Sequence, residues 1–260
     1  MSDQYQADKR RRDALRRMGI DIWVRRQPAE ASAVEVPDTE APAPTARDAS
    51  LAAPPTPAAE AATAANGDVA AMDWATLEAT VAECTHCGLC QGRTQTVFGV
   101  GRRDADIMVI GEAPGAEEDR RGEPFVGRAG QLLDNMLRAL GYGREQVFIA
   151  NILKCRPPRN RDPEPEEVAA CRPYLARQIA LVQPAVILAV GRIAAQNLLD
   201  TDRPLRMLRQ QVHTFRQGDV PVVVSYHPAY LLRSPADKAK AWDDLKRLRE
   251  RLPAGAEVHA

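Results

Sequence analysis

The chain has 260 residues, 45% apolar and 27% charged, with a formal net charge of zero. That is an ordinary globular composition, long enough for one substantial domain plus extensions, and no apolar run is long enough to span a membrane. A neutral chain has no global field toward nucleic acid, so any grip on it must come from a local basic patch.

The N-terminus, "MSDQYQADKRRRDALRRMG", lacks the apolar core of a secretory leader, so a cytoplasmic location is expected. In that setting the five cysteines read as metal ligands, redox groups or buried thiols, not as a disulfide framework. Residues 1–27 predict a short basic helix followed by "IDIWVRR". The exposed apolar cluster Ile22-Trp23-Val24 suggests a docking peptide for a protein partner; a frayed tail is the plainer alternative. Residues 28–72 are Pro- and Ala-rich with almost no large apolar side chains, and predict a disordered tether. The folded domain is expected over 73–253, with a tail over 254–260.

Within that domain four apolar runs predict buried parallel strands: "DIMVIGE" (106–112), "QVFIANI" (146–152), "AVILAVG" (185–191) and "VPVVVSYH" (220–227). Helical patterns separate or follow them: "GRAGQLLDNMLRALG", "PEPEEVAACRPYLARQIALV", "GRIAAQNLLD" and "ADKAKAWDDLKRLRERL". Alternation of this kind predicts an α/β fold, a three-layer α/β/α sandwich around a four-stranded parallel sheet. Ligands of such sheets sit at the carboxyl ends of the strands. The segments that follow the strands are "GEAPGAEEDRRGEPFVGRAG", "ANILKCRPPRNRDPEP", "GRIAAQ" and "HPAYLLRSP". All are rich in Gly, Pro, Arg and polar residues, so one edge reads as a binding face, and His227 arrives at it.

"ECTHCGLC" places Cys84, Cys87 and Cys90 at intervals of three, and Cys155 and Cys171 follow with fifteen residues between them. A four-thiolate site drawn from these accepts either an iron–sulfur cluster or zinc. Two sets stay open on spacing: Cys84 and Cys87 with the two later thiols, or all three of the first group with one later thiol. A redox CxxC would follow a strand, and this one precedes the sheet.

Together "CTHCGLCQGRT", "GEAPGAEEDRRGEPFVGRAGQLL", "NILKCRPPRNRDP" and "HPAYLLRSP" closely resemble the type 4 uracil-DNA glycosylases over residues 75–250. The resemblance implies removal of uracil from single- or double-stranded DNA, leaving an abasic site, by a monomer associated with the nucleoid through its DNA. It also implies a [4Fe–4S] cluster on Cys84, Cys87, Cys155 and Cys171, leaving Cys90 spare. A non-catalytic DNA-binding or polymerase-associated module of the same fold is the alternative.

The chemistry can be followed residue by residue. A uracil flipped out of the duplex needs an aromatic floor and a group that reads its edge. Phe125 resembles the floor, and Asn151 the reading amide, which can donate to O4 and accept from N3–H; a turn-capping asparagine has the same sequence signature. His227 resembles the donor to uracil O2, where charge collects as the bond breaks. Leu231 resembles the wedge that fills the gap, with Arg233 near phosphate. Gly111 lets backbone approach the base. Where better-known relatives carry a water-orienting aspartate, this chain has Ala113. Glu112 and Glu118 are the nearby carboxylates: Glu112 either acts on water or braces the turn, and Glu118 either holds the water or pairs with Arg120 or Arg121.

Overall fold

The computed structural model describes residues 69–215 and 219–253. The docking peptide expected over 1–27, most of the tether and the tail lie outside the described residues. Six strands follow in chain order: β1 (Val100–Gly101), β2 (Ile107–Gly111), β3 (Phe148–Asn151), β4 (Val186–Val190), β5 (His213–Phe215) and β6 (Val220–Ser225). They assemble in the order β1-β3-β2-β4-β6-β5. The inner four are parallel and correspond to the four apolar runs. The outer two are antiparallel, so the expected four-stranded parallel sheet is corrected to a six-stranded mixed one. Two- and three-residue strands are too short to print an alternation, and an antiparallel edge on a parallel sheet is common.

Helices cover both faces. In chain order they are α1 (Trp74–Ala82), α2 (Ala116–Arg121), α3 (Arg128–Ala139), α4 (Pro165–Val182), α5 (Arg192–Leu199), α6 (Leu205–Leu208), α7 (Pro228–Arg233) and α8 (Lys238–Arg249). Side chains alternate across each strand. Met108, Ile110, Ile187 and Val222 therefore join Leu77, Tyr174, Ile179 and Ala194 of α1, α4 and α5. Ile107, Val109, Leu188 and Val223 join Leu133 and Leu137 of α3 and Leu245 and Leu248 of α8. Burial on both faces explains why the inner strands read as unbroken apolar runs.

The packed region starts earlier than composition implies. Val69 is 5% exposed, and the Met72 carbonyl accepts from Arg177 Nε at 2.5 Å, so both belong to the fold and not to the tether. Deleting residues 1–66 is expected to leave the denaturation midpoint unchanged. Deleting 1–72 should lower stability by about 1.5–3 kcal/mol through Val69 alone. Urea melts of the two truncations decide this; equal midpoints would place the boundary after Met72.

Register brings the strand ends level. Gly111 pairs with Asn151, Ile110 with Ala189, and Val190 with Ser225. The chain passes from β2 to β3 on one side and then to β4 on the other. The order thus reverses at β2, and a crevice opens at its carboxyl end.

Candidate active site

That crevice is a cleft of about 510 Å³ lined by Glu112, Ala113, Glu118, Phe125, Asn151, His227 and Arg233 among others. Residues that follow β2, that end β3 and that follow β6, distant in sequence, converge there.

Asn151 ends β3 and is 2% exposed. Its Oδ1 is buried without a hydrogen-bond partner. A buried acceptor left unpaired costs about 1–3 kcal/mol, a penalty that a ligand N–H in the cleft would remove. Gly111 makes room for this amide and for the aromatic floor together: a Cβ there would lie 2.5 Å from Asn151 Oδ1 and 2.6 Å from Phe125 Cζ. Phe125 carries a φ of +54°, uncommon for a bulky side chain. Its ring stacks against His227 with centroids 5.6 Å apart and planes 28° from parallel.

His227 caps α7, and its Nδ1 accepts the Ala229 N–H at 3.1 Å. The ring proton therefore sits on Nε2, leaving that N–H for a ligand. Burial, with the nearby Arg233 charge, lowers the imidazole pKa to about 4, against a small opposing effect from Glu118. The ring is neutral at physiological pH. Gly191, with a φ of +96°, is another feature that sequence reading passed over. A Cβ there would sit 3.1 Å from His227 Cβ, so the glycine after β4 both makes the turn and clears the histidine.

The carboxylates separate clearly. Glu118 pairs with neither arginine proposed for it; Arg120 and Arg121 both reach Glu117. Its Oε2 accepts the Gly115 N–H and its Oε1 the Val126 N–H, each at 3.1 Å, tying the "GEAPG" turn to the loop that carries Phe125. Glu112 faces the cleft, and burial together with Asp162 raises its pKa, with Arg192 opposing.

Leu231 requires a correction. It is 1% exposed, packed beneath α7 among core residues of α3 and α8. A wedge must stand free to enter a duplex, so the residue that the resemblance pointed to is a core residue in this structure. On the same helix Leu232 is half-buried and Arg233 exposed.

The thiols gather at another pole. Cys155 and Cys171 are buried, Cys84, Cys87 and Cys90 half-buried, and none is in a disulfide. Arg93 Nη1 donates to Cys155 Sγ at 3.1 Å and to the Cys84 carbonyl at 2.8 Å, while the Lys154 N–H reaches Cys171 Sγ at 3.4 Å. Burial pushes the Cys87 and Cys155 thiols up and Cys171 to about 12, neighbouring thiols adding to each. Among the described residues no three His, Cys, Asp or Glu side chains are drawn together as metal ligands. Soft sulfur donors, with N–H groups aimed at two of them, are nevertheless the chemistry that a thiolate-bound centre uses.

The model of the uracil DNA glycosylase superfamily matches residues 98–246, and the chain belongs to that superfamily. The type-4 uracil-DNA glycosylase of Archaeoglobus fulgidus is 44% identical over 176 residues, covering 65% of this chain and 88% of the relative. That of Pyrobaculum aerophilum is 43% identical over 180 residues, covering 67% and 92%. A type-5 uracil-DNA glycosylase of Thermus thermophilus is more distant, at 34% over 137 residues, covering 47% and 60%. The higher identities place the chain in the type-4 branch. Among the described residues no helix is long and apolar enough to cross a membrane.

Proposed function

We propose that this chain is a monofunctional uracil-DNA glycosylase, hydrolysing the bond between uracil and deoxyribose in DNA and leaving an abasic site. The observation that carries the reading is the orphaned Asn151 Oδ1, buried in the same cleft as Phe125 and His227. Uracil extruded from the stack lies on Phe125, gives its N3–H to Asn151 Oδ1 and receives the amide N–H at O4. As the C1′–N1 bond breaks, its electron pair passes to the base and spreads onto O2. His227 Nε2–H donates there, and the developing anion is stabilised most in the transition state. Water adds to C1′ and gives up a proton to solvent, and uracil leaves as its anion. Glu112, the cleft carboxylate beside Ala113, orients that water. Glu118 is a positioning residue that holds the loops. Arg233 contacts phosphate, and Leu232 takes over the wedge role.

Cys84, Cys87, Cys155 and Cys171 would hold a [4Fe–4S] cluster, with zinc as the alternative occupant. The group would supply a structural tie between the chain's entry into the fold and the "CRPPRNRDP" loop; no step of the reaction runs through it. Purified protein is expected to be brown with about four irons per chain. Cys90→Ala should keep the colour, and Cys155→Ala should lose it with much of the soluble yield. One zinc and no colour would reverse the assignment.

The primary test is incubation with a uracil-containing oligonucleotide, then alkali to cleave abasic sites, resolved on a gel. Cleavage at uracil supports the enzyme. Tight binding without cleavage would favour a non-catalytic module.

A further inference from the structure

Two non-glycine residues of the cleft lie at positive φ, Asn160 and Phe125; asparagine tolerates that region, but a bulky phenylalanine at +54° is sterically disfavoured there. Something must keep it there. The Val126 N–H is held by Glu118 on one side. On the other, Gly130 of α3 gives the Phe125 carbonyl room, since a Cβ at that position would lie 1.7 Å from it. These contacts permit the conformation. A third group explains why it is chosen.

Arg144 stands on the turn that leads into β3. Its Nη1 donates to the Phe125 carbonyl at 3.3 Å, its Nη2 donates to the Pro124 carbonyl, and its Nη1 also meets Asp134 Oδ1 of α3 at 3.2 Å. The ion pair is largely covered, with the two side chains 23% and 22% exposed. In extended backbone, successive carbonyls point to opposite sides. Two successive carbonyls can converge on one guanidinium only if the peptide between them is turned, and the planar fork of arginine suits that convergence. The left-handed Phe125 is the turned residue.

We infer that Arg144, aimed by Asp134, is the positioning residue for the aromatic floor. It gathers the Pro124 and Phe125 carbonyls and so fixes the ring against Gly111 and His227 before any base arrives. The inference rests on the reading of Phe125 as the surface on which uracil lies. Neither Arg144 nor Asp134 borders the cleft, so both act through the ring and touch no substrate.

The test is a double-mutant cycle read by single-turnover excision from one uracil oligonucleotide, using the full chain. Phe125→Ala and Arg144→Met are made singly and together. Arg144→Met alone should slow excision about tenfold, of the order expected for losing hydrogen bonds to a charged group. In the Phe125→Ala background the same change should matter less than twofold, because no ring remains to be positioned. If the two losses multiply, Arg144 acts elsewhere and the inference falls. Asp134→Asn, which leaves the arginine present but unaimed, should show the same dependence on Phe125 and carries the test should Arg144→Met not fold. A Phe125→Ala protein as fast as the parent would instead overturn the assignment of the floor itself.

Discussion

His227→Ala is expected to slow single-turnover excision by about a hundredfold to a thousandfold, the usual loss for one donor to a developing oxyanion. Affinity for uracil DNA should stay within a few-fold. The reason lies in when the donor acts. A neutral Nε2–H gains little from ground-state uracil O2 and much more once that oxygen carries the leaving group's charge. Nδ1 cannot be the donor, since it already accepts the Ala229 N–H. The pH profile gives an independent check. Free imidazole titrates near 6.5, but burial and Arg233 hold this ring's pKa down to about 4. A lowered pKa means that the neutral ring persists as pH falls through 6.5, and protonation sets in only near 4, at the cost of the Ala229 bond. The His227-dependent part of the rate should therefore be flat from pH 8 to about 5. A step near pH 6.5 that disappears in His227→Ala would mean a solvated, charged imidazole and would sink this account.

How much of this was legible in the sequence depends on how each residue makes its case. Unbroken apolar runs announce strands buried on both faces, so β2, β3, β4 and β6 could be read directly. The edges β1 and β5 could not, because two or three residues carry no period. The α2 segment "AEEDRR" has no apolar stripe, and its single turn and a half hid inside a glycine-rich loop. The start of α7 was marked by Pro228 in its first turn, although "HPAYLLRSP" reads at first only as the segment that follows a strand. Gly111 and Asn151 end paired strands and His227 follows β6 by two residues, so their arrival at one edge could be read from the segments that follow the strands. Leu231 was not legible: a leucine four residues past the histidine looks exposed until α7 winds it onto the core. Glu118 likewise showed its role only when both oxygens were seen bound to backbone N–H groups.

Asn151 offers the sharpest separation of the two roles that the sequence left open. Asn151→Leu is expected to cut excision by about a thousandfold, because the site then loses both its acceptor for N3–H and its donor to O4. A turn cap would predict the opposite balance: lost stability and modest effects on rate. The structure favours the recognition role on energetic grounds. Oδ1 is buried and bonds to nothing, so it contributes no hydrogen bond to the fold and carries an unrelieved desolvation penalty. Leucine has nearly the same size and shape and removes that acceptor, so the folded state should gain about 1 kcal/mol. Stability rising as activity collapses is the pattern of a residue kept for its ligand. Urea denaturation and single-turnover excision, run on the same preparation, measure both quantities. A variant that melts earlier than the parent yet still excises uracil at a comparable rate would make Asn151 a structural cap and would remove the base-reading contact from the mechanism.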